Sequence, residues 1–227
     1  MSIILHIETS TNVCSVALSK NGRCLFSKSN AEGMNHAALL SVFIAEALEV
    51  LKSDEKKPDA VAVSSGPGSY TGLRIGVSTA KGLCYGYGIP LIAVSTLEVL
   101  TTQALQSVSD HNALYCPMID ARRMEVYAAF YNADLEIKRE ISADIIDSNS
   151  YATILDQQPV FFFGNGAEKC KSTLTHPNAR FIDNLVPLAE NMISFAEKAF
   201  ADNDFVDVAY FEPFYLKEFQ TSTPKKV

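Results

Sequence analysis

Between Ser65 and Gly76 the sequence reads SGPGSYTGLRIG, a glycine-rich turn between a run of small apolar residues and an amphipathic segment. Such a turn, placed between a strand and a helix N-terminus, is the geometry that cradles phosphate, because backbone N–H groups and the helix dipole converge there. The letters nevertheless miss the established motifs. A Walker loop needs a lysine after its last glycine, and Gly72 is followed by Leu73. A dinucleotide fingerprint needs GxGxxG and an acid about 20 residues on; Gly66, Gly68 and Gly72 have the wrong last spacing, and the next strand ends at Val94-Ser95 without a carboxylate. Ser69 lacks the GxSxG flanks of a hydrolase elbow.

Other reactive side chains are scattered. His6, His36, His111 and His176 include no i, i+4 pair that could bring two imidazoles to one metal on a helix. Asp120, Arg122, Arg123 and Glu125 form a charged turn after a strand, which reads either as a solvated hairpin or as a ligand-facing loop. Cys14, Cys24, Cys84, Cys116 and Cys170 form no CxxC pair, and an odd number cannot close an intrachain disulfide framework. Buried free thiols in a reducing compartment fit best.

Gly72, Gly76 and Ala80 recur every four residues and leave a helix strip with almost no side chain. Each interior glycine costs about 1 kcal/mol against alanine, so another backbone must come close to this strip. Spacing alone favours close packing on the chain's own sheet, with pairing across a subunit interface as the alternative.

These residues need a scaffold, and 227 residues with 48% hydrophobic and 20% charged side chains can build one large domain or two small lobes. The net charge is −7, which disfavours a free-standing nucleic-acid binder. Residues 142–212 alone carry −7, with residues 1–141 at −2 and 213–227 at +2. The N-terminus has no signal-peptide core, and no run approaches the roughly 18 apolar residues of a spanning helix, so a soluble cytoplasmic protein without a membrane partner is expected.

Ser2–Glu8, Val13–Ser19 and Arg23–Ser29 are expected as a three-stranded meander, with Asn21-Gly22 as a hairpin turn. Apolar spacing predicts a helix over Met34–Leu51, a buried strand over Ala60–Ser64, a helix from Thr71 to Gly88, a strand over Leu91–Val94 and a helix near Thr96–Gln106. A second pass has strands at Ala113–Ile119, Val126–Tyr131 and Leu135–Ile141. Helical segments at Ser148–Leu155, Ala167–Leu174 and Leu188–Ala201 and a strand at Pro159–Phe163 complete it. Two βββαβα-like halves are the pattern of an α/β, actin-like (ASKHA) duplicated two-lobe fold with mixed sheets. The expected division is 1–106 for the first lobe and 107–227 for an acidic second lobe, whose C-terminal segment could return to the first.

Ser65–Leu83, the opening Ile4–Leu18 (ILHIETSTNVCSVAL), Asn35-His36, the turn Ile119–Phe130 (IDARRMEVYAAF), Phe163-Gly164-Asn165-Gly166 and Pro213-Phe214-Tyr215-Leu216 together resemble the TsaB family, from end to end of the chain. That resemblance implies a non-catalytic scaffold or activator subunit, a pseudoenzyme of an assembly that makes threonylcarbamoyladenosine beside the tRNA anticodon. It implies partnership with the catalytic paralogue TsaD and the ATPase TsaE, a homodimer when alone, and tRNA contact only through the complex. ATP and a metal ion are expected in the partners, with no catalytic or metal residues here. Where TsaD has its histidine ligand pair, this chain has Thr96 and Leu100, which offer no imidazole nitrogen. Glu98 between them is expected at a helix N-terminus.

Pairing in the family through the first two helices turns the odds on the glycine strip. His36, Leu39, Leu40, Phe43, Tyr70, Gly72, Arg74, Gly76 and Ala80 become the expected partner face. Thr9, Ser10, Thr11, Gly164 and Gly166 are left as vestigial nucleotide-binding positions, because the opening strand lacks a glycine after its acid and no Gly-Gly segment follows in the second half. The rival readings are a stand-alone actin-like nucleotide-binding enzyme and a peptidase-like protein. The acidic stretch Asp202–Glu212 reads as a solvated surface or a docking site, and Lys225-Lys226 as a solvated end or a tRNA-touching tail.

Overall fold

A computed structural model describes residues 2–32, 35–52 and 56–217. The first strands are β1 (Ile3–Glu8), β2 (Cys14–Lys20) and β3 (Arg23–Asn30), followed by helix α1 (His36–Lys52), strand β4 (Ala60–Gly66), helix α2 (Tyr70–Tyr87), strand β5 (Leu91–Ser95) and helix α3 (Thr96–Ser107). The order then repeats with β6 (Leu114–Asp120), β7 (Glu125–Tyr131), β8 (Ile137–Ile145), the short helix α4 (Ala152–Leu155), β9 (Val160–Phe163) and β10 (Ala179–Ile182). Helix α5 (Ile193–Asp202) follows a 3-10 turn at Ala189–Met192.

The strands make two five-stranded mixed sheets, ordered β3-β2-β1-β4-β5 and β8-β7-β6-β9-β10. The second order repeats the first: an antiparallel meander carries two further parallel strands on its inner edge. β1 and β4 are buried along nearly their whole length, as expected of central strands covered on both faces, whereas edge strand β3 alternates between exposed and half-buried residues. On one face of the first sheet, Leu5, Ile7, Val61 and Val63 pack against Leu40, Phe43 and Ala47 of α1 and Val77 and Ala80 of α2. On the other, Ile4, Ala60, Ala62, Ile92 and Val94 meet Val99 of α3, Met192 and Ala196 of α5. The opposite side of α3, at Leu97, Leu100 and Ala104, packs with Tyr115, Ala129 and Phe163 of the second sheet. One helix thus serves both halves.

Several expectations shift. The segment Leu188–Ala201, assigned to the second pass, supplies α5, which lies on the first sheet because its apolar side matches the face left open there. The expected helix at Ala167–Leu174 is only a 3-10 turn at Glu168–Cys170, and β10 follows where no strand was expected. The strand expected at Leu135–Ile141 runs from Ile137 to Ile145. Cys24 is exposed, while Cys14, Cys84, Cys116 and Cys170 are buried free thiols. Met34 and the Lys225-Lys226 tail lie outside the described residues. No helix among the described residues is long and apolar enough to cross a membrane.

Polar groups pin the α5 segment to the sheet. Ala189 N donates to Ser15 Oγ (3.1 Å), Ser2 Oγ donates to Glu197 Oε2 (2.6 Å) and Gly22 N to Glu197 Oε1 (2.8 Å). Beneath them His6 is fully buried, with Nε2 2.8 Å from Ser19 Oγ. Burial lowers its pKa from 6.5 to about 3. The unfolded chain therefore gains a proton that the native chain refuses, and stability falls as pH drops from 6.5 towards 3. At pH 5 the loss is on the order of 2 kcal/mol. Melting curves of wild type and His6→Gln should therefore diverge on acidification, the variant losing less than the parent.

Candidate functional site

The first sheet's parallel strands end at Glu8, Gly66 and Ser95, and the glycine-rich turn starts from the middle of the three. Ser69 caps α2 by accepting the Gly72 N–H (3.2 Å), and Gly88 closes the helix in the left-handed conformation, its N–H on Cys84 O. This fixes where the glycine strip points. A Cβ on Gly68 would overlap Ser10 O, one on Gly72 would overlap Thr9 O, and one on Gly76 would overlap Thr9 Oγ1. The helix therefore rests on the backbone that follows β1. Thr9 Oγ1 donates to Gly72 O (2.8 Å) and Ser69 N to Ser10 O (2.6 Å).

This arrangement corrects the expected partner face. Gly72, Gly76 and Ala80 face inward, and His36, Leu40 and Phe43 are buried in the same lobe, since α1 and α2 each turn their apolar stripe to the sheet. Leu39 is half-buried against that core. Arg74 is exposed and Tyr70 half-exposed, with Arg74 Nη1 donating to Tyr70 Oη (3.0 Å). A second four-residue series that the sequence reading passed over, Ser78, Gly82 and Gly86, lies on the outer side of α2. Nothing stands within 4 Å of a Cβ built on Gly82 or Gly86. Tyr85 on the same helix is 88% exposed, and on α1 Ala38, Ala45 and Val42 are exposed too, the last 48%. Both series share the same period, and only the residues beside each strip, the apolar Leu73, Val77 and Cys84 beside the first, carry the sign of which one is inside.

The proposed nucleotide positions are also accounted for. Thr9, Ser10 and Thr11 are buried; Thr9 Oγ1 is spent on Gly72, and Thr11 Oγ1 accepts from Val13 N (3.3 Å). Glu8 ties the segment down: its Oε1 accepts from Ser10 N (2.6 Å) and Ser64 Oγ (3.1 Å). Burial pushes the Glu8 carboxyl above the usual carboxylate range, and these hydrogen bonds pull it partly back. In the second half, Gly164 has φ 97° and a Cβ there would lie 2.5 Å from Met118 O, while one on Gly166 would lie 2.9 Å from the Ile119 carbonyl carbon. Gly166 N donates to Met118 O (2.9 Å) and Asp120 N to Asn165 Oδ1 (3.0 Å). These glycines let the turn lie on the end of β6; at the other strand end the Thr9 and Thr11 hydroxyls are engaged within the chain, and the buried Ser10 Oγ has no hydrogen-bond partner among the described residues.

Thr96 and Leu100 are fully buried, Leu100 Cδ1 lying 3.3 Å from a Cβ built on Gly164. A leucine methyl and a threonine hydroxyl cannot replace two imidazoles. Glu98 accepts the Ser95 N–H at the start of α3; burial raises its pKa and that hydrogen bond opposes the rise. A cleft of about 600 Å³ opens beside these strand ends, lined by Ser65, Gly66, Ala93, Ser95, Ile141 and Phe211–Tyr215. The chain's own late segment forms one wall, held by Phe214 N on Ser65 O (2.7 Å).

Two substitutions separate the strips. Gly76→Ala drives a methyl into Thr9 and should lower stability by about 2 kcal/mol or more, whereas Gly82→Ala, in open space, should raise it by up to about 1 kcal/mol. Urea unfolding of the pair checks both signs.

Residues 31–217 match the family described as TsaD: tRNA N6-adenosine threonylcarbamoyltransferase. The chain is 30% identical over 227 residues to the tRNA threonylcarbamoyladenosine biosynthesis protein TsaB of Escherichia coli, covering 94% of each. It is 27% identical over 222 residues to the protein of the same name from Buchnera aphidicola, covering 92% of this chain and 98% of that one. The solved structure of YeaZ from Pseudomonas aeruginosa superposes with a TM-score of 0.81 at 29% identity, over 95% of this chain and all of that one. Two mixed sheets of repeated order, a glycine helix seated on the Glu-Thr-Ser turn and full-length likeness to these relatives agree, and the chain belongs to the TsaB family.

Proposed function

We propose that the chain is a non-catalytic subunit of the assembly that forms threonylcarbamoyladenosine in tRNA. It binds a TsaD-like catalytic paralogue and, through it, a TsaE-like ATPase, and pairs with itself when alone. The observation that carries this reading is family membership joined to an occupied strand end: α2 lies against the turn after β1, and Thr9 Oγ1 and Thr11 Oγ1 are engaged within the chain. With Thr96 and Leu100 at the positions that the resemblance aligns with metal ligands, the transfer chemistry falls to the partner. The subunit acts by shaping the partner's active site from a docked helix pair.

The docking face is assigned to the outer side of α1 and α2, with Val42, Ala38 and Ala45 opposite Ser78, Gly82 and Tyr85. Small residues permit close helix approach, and two exposed apolar side chains, Val42 and Tyr85, give the contact its buried area. The expected residues Gly72, Gly76, Ala80, Leu40 and Phe43 hold the helices from beneath. Val42→Glu with Gly82→Arg should leave the melting temperature within a few degrees of wild type and cut partner capture at least about tenfold; undiminished capture by the folded variant would refute the face. Reconstitution tests the function itself. Purified subunits with and without this chain should differ in tRNA modification, and full activity in its absence, or activity of the chain alone, would exclude the scaffold role.

A further inference from the structure

Between β6 and β7, Arg122 and Arg123 are exposed and hold consecutive left-handed conformations, φ 68° and 49°. That backbone crowds Cβ against the following carbonyl, and Asn or Gly adopts it at least cost. The chain uses the cheaper solution at the β2–β3 turn, where Asn21 and Gly22 have φ 51° and 75°. Of the seven non-glycine residues with positive φ among the described residues, three are Asn, and Arg122-Arg123 is the one adjacent pair. Two long cationic side chains are thus kept where the backbone selects against them, a form of strain that persists where the side chains have another use.

Their surroundings specify that use. Asp120 and Glu125, which flank the turn, are neutralised from elsewhere: Lys169 pairs with Asp120 and donates to Glu125 O (2.7 Å), and Lys217 pairs with Glu125. Arg122 and Arg123 enter no ion pair among the described residues, so no described carboxylate holds either guanidinium. Tyr127, half-exposed, lies close enough to Arg122 and Lys217 to feel both charges. This cationic edge sits on a chain of net charge −7, with all of that excess matched by residues 142–212.

We infer that the Arg122-Arg123 turn is where this subunit touches the sugar–phosphate backbone of tRNA within the assembly; the inference rests on the proposed function. A guanidinium fork matches phosphate oxygens in two parallel hydrogen bonds, and two adjacent forks can hold neighbouring phosphates. The half-exposed Tyr127 ring beside them gives a sugar or base a surface to rest on, which an acidic protein partner does not require. Negative charge elsewhere keeps the polyanion away from the rest of the chain, so the turn adds a contact to partner-bound tRNA without sufficing for the isolated subunit.

The test uses Arg122→Asn with Arg123→Gly, which removes both charges and relaxes the turn. The variant should melt a few degrees above wild type and capture the partner normally. Its assembly should bind tRNA roughly tenfold more weakly near 100 mM salt, with the slope of log K against log salt shallower by about two. Unchanged affinity and slope would overturn the inference while leaving the proposed function intact. Loss of partner capture would also overturn it, in favour of an acidic protein contact. A wild-type assembly that binds no tRNA would overturn the proposed function and the inference with it.

Discussion

A helix can come to backbone contact with a strand end only where it carries no side chains, and α2 does so on Thr9 and Ser10. Three glycines in or entering the helix allow it, although the interior ones cost about 1 kcal/mol each in helix propensity. The contact fixes the depth of α2 on the sheet, and α1, lying alongside, takes its orientation from the same face. It also occupies the space at the end of β1. The Thr9 and Thr11 hydroxyls become internal hydrogen-bond partners, and Glu8 holds the turn from below. One close approach thus builds the outward helix pair and occupies the strand end.

The two halves repeat one topology and cover it differently. The first sheet has full helices on both faces, whereas the second relies on α4, a 3-10 turn and the shared α3. Its aromatic residues compensate for the missing helices. Phe130 meets Tyr151 edge-on, Tyr151 stacks on Phe162 and Phe162 lies tilted against Phe181, while Arg139 lies over Phe130 and Tyr151 and grips Asp144. Shared burial of α3 ties the halves together, its Val99 in one core and its Leu97 and Leu100 in the other.

The meander, the first three helices and the order of strands were legible because their periodicity is strong and their turns are marked, as at Asn21-Gly22. The glycine helix was legible as a close contact on the chain's own sheet, the reading that spacing favoured before the resemblance turned it towards a partner. Gly72-Gly76-Ala80 and Ser78-Gly82-Gly86 have the same spacing, and only the apolar neighbours Leu73, Val77 and Cys84 mark the first as the one that meets Thr9 while the second meets solvent. The vestigial nucleotide positions Thr9 to Thr11 were harder to read for a related reason: hydroxyl groups in a strand-end turn look alike whether they face a ligand or their own backbone, as Thr9 Oγ1 does on Gly72 O. In the second half, helical spacing at 167–174 was overridden by the tight Gly164–Gly166 turn against β6, which leaves room for a 3-10 turn only. The strain at Arg122 and Arg123 had no sequence signal beyond two arginines in a turn.

The return of α5 to the first sheet sets an order of events during synthesis. Strands β1, β4 and β5 leave the ribosome early, yet Ile4, Ala60, Ala62 and Ile92 gain their cover from Met192 and Ala196 only when the last sixth of the chain emerges. Until then the leading half presents an open apolar sheet face beside a finished glycine-helix contact, the kind of surface on which nascent chains associate or recruit chaperones. Deleting the late segment therefore removes more than a tail: it leaves a half-built first lobe.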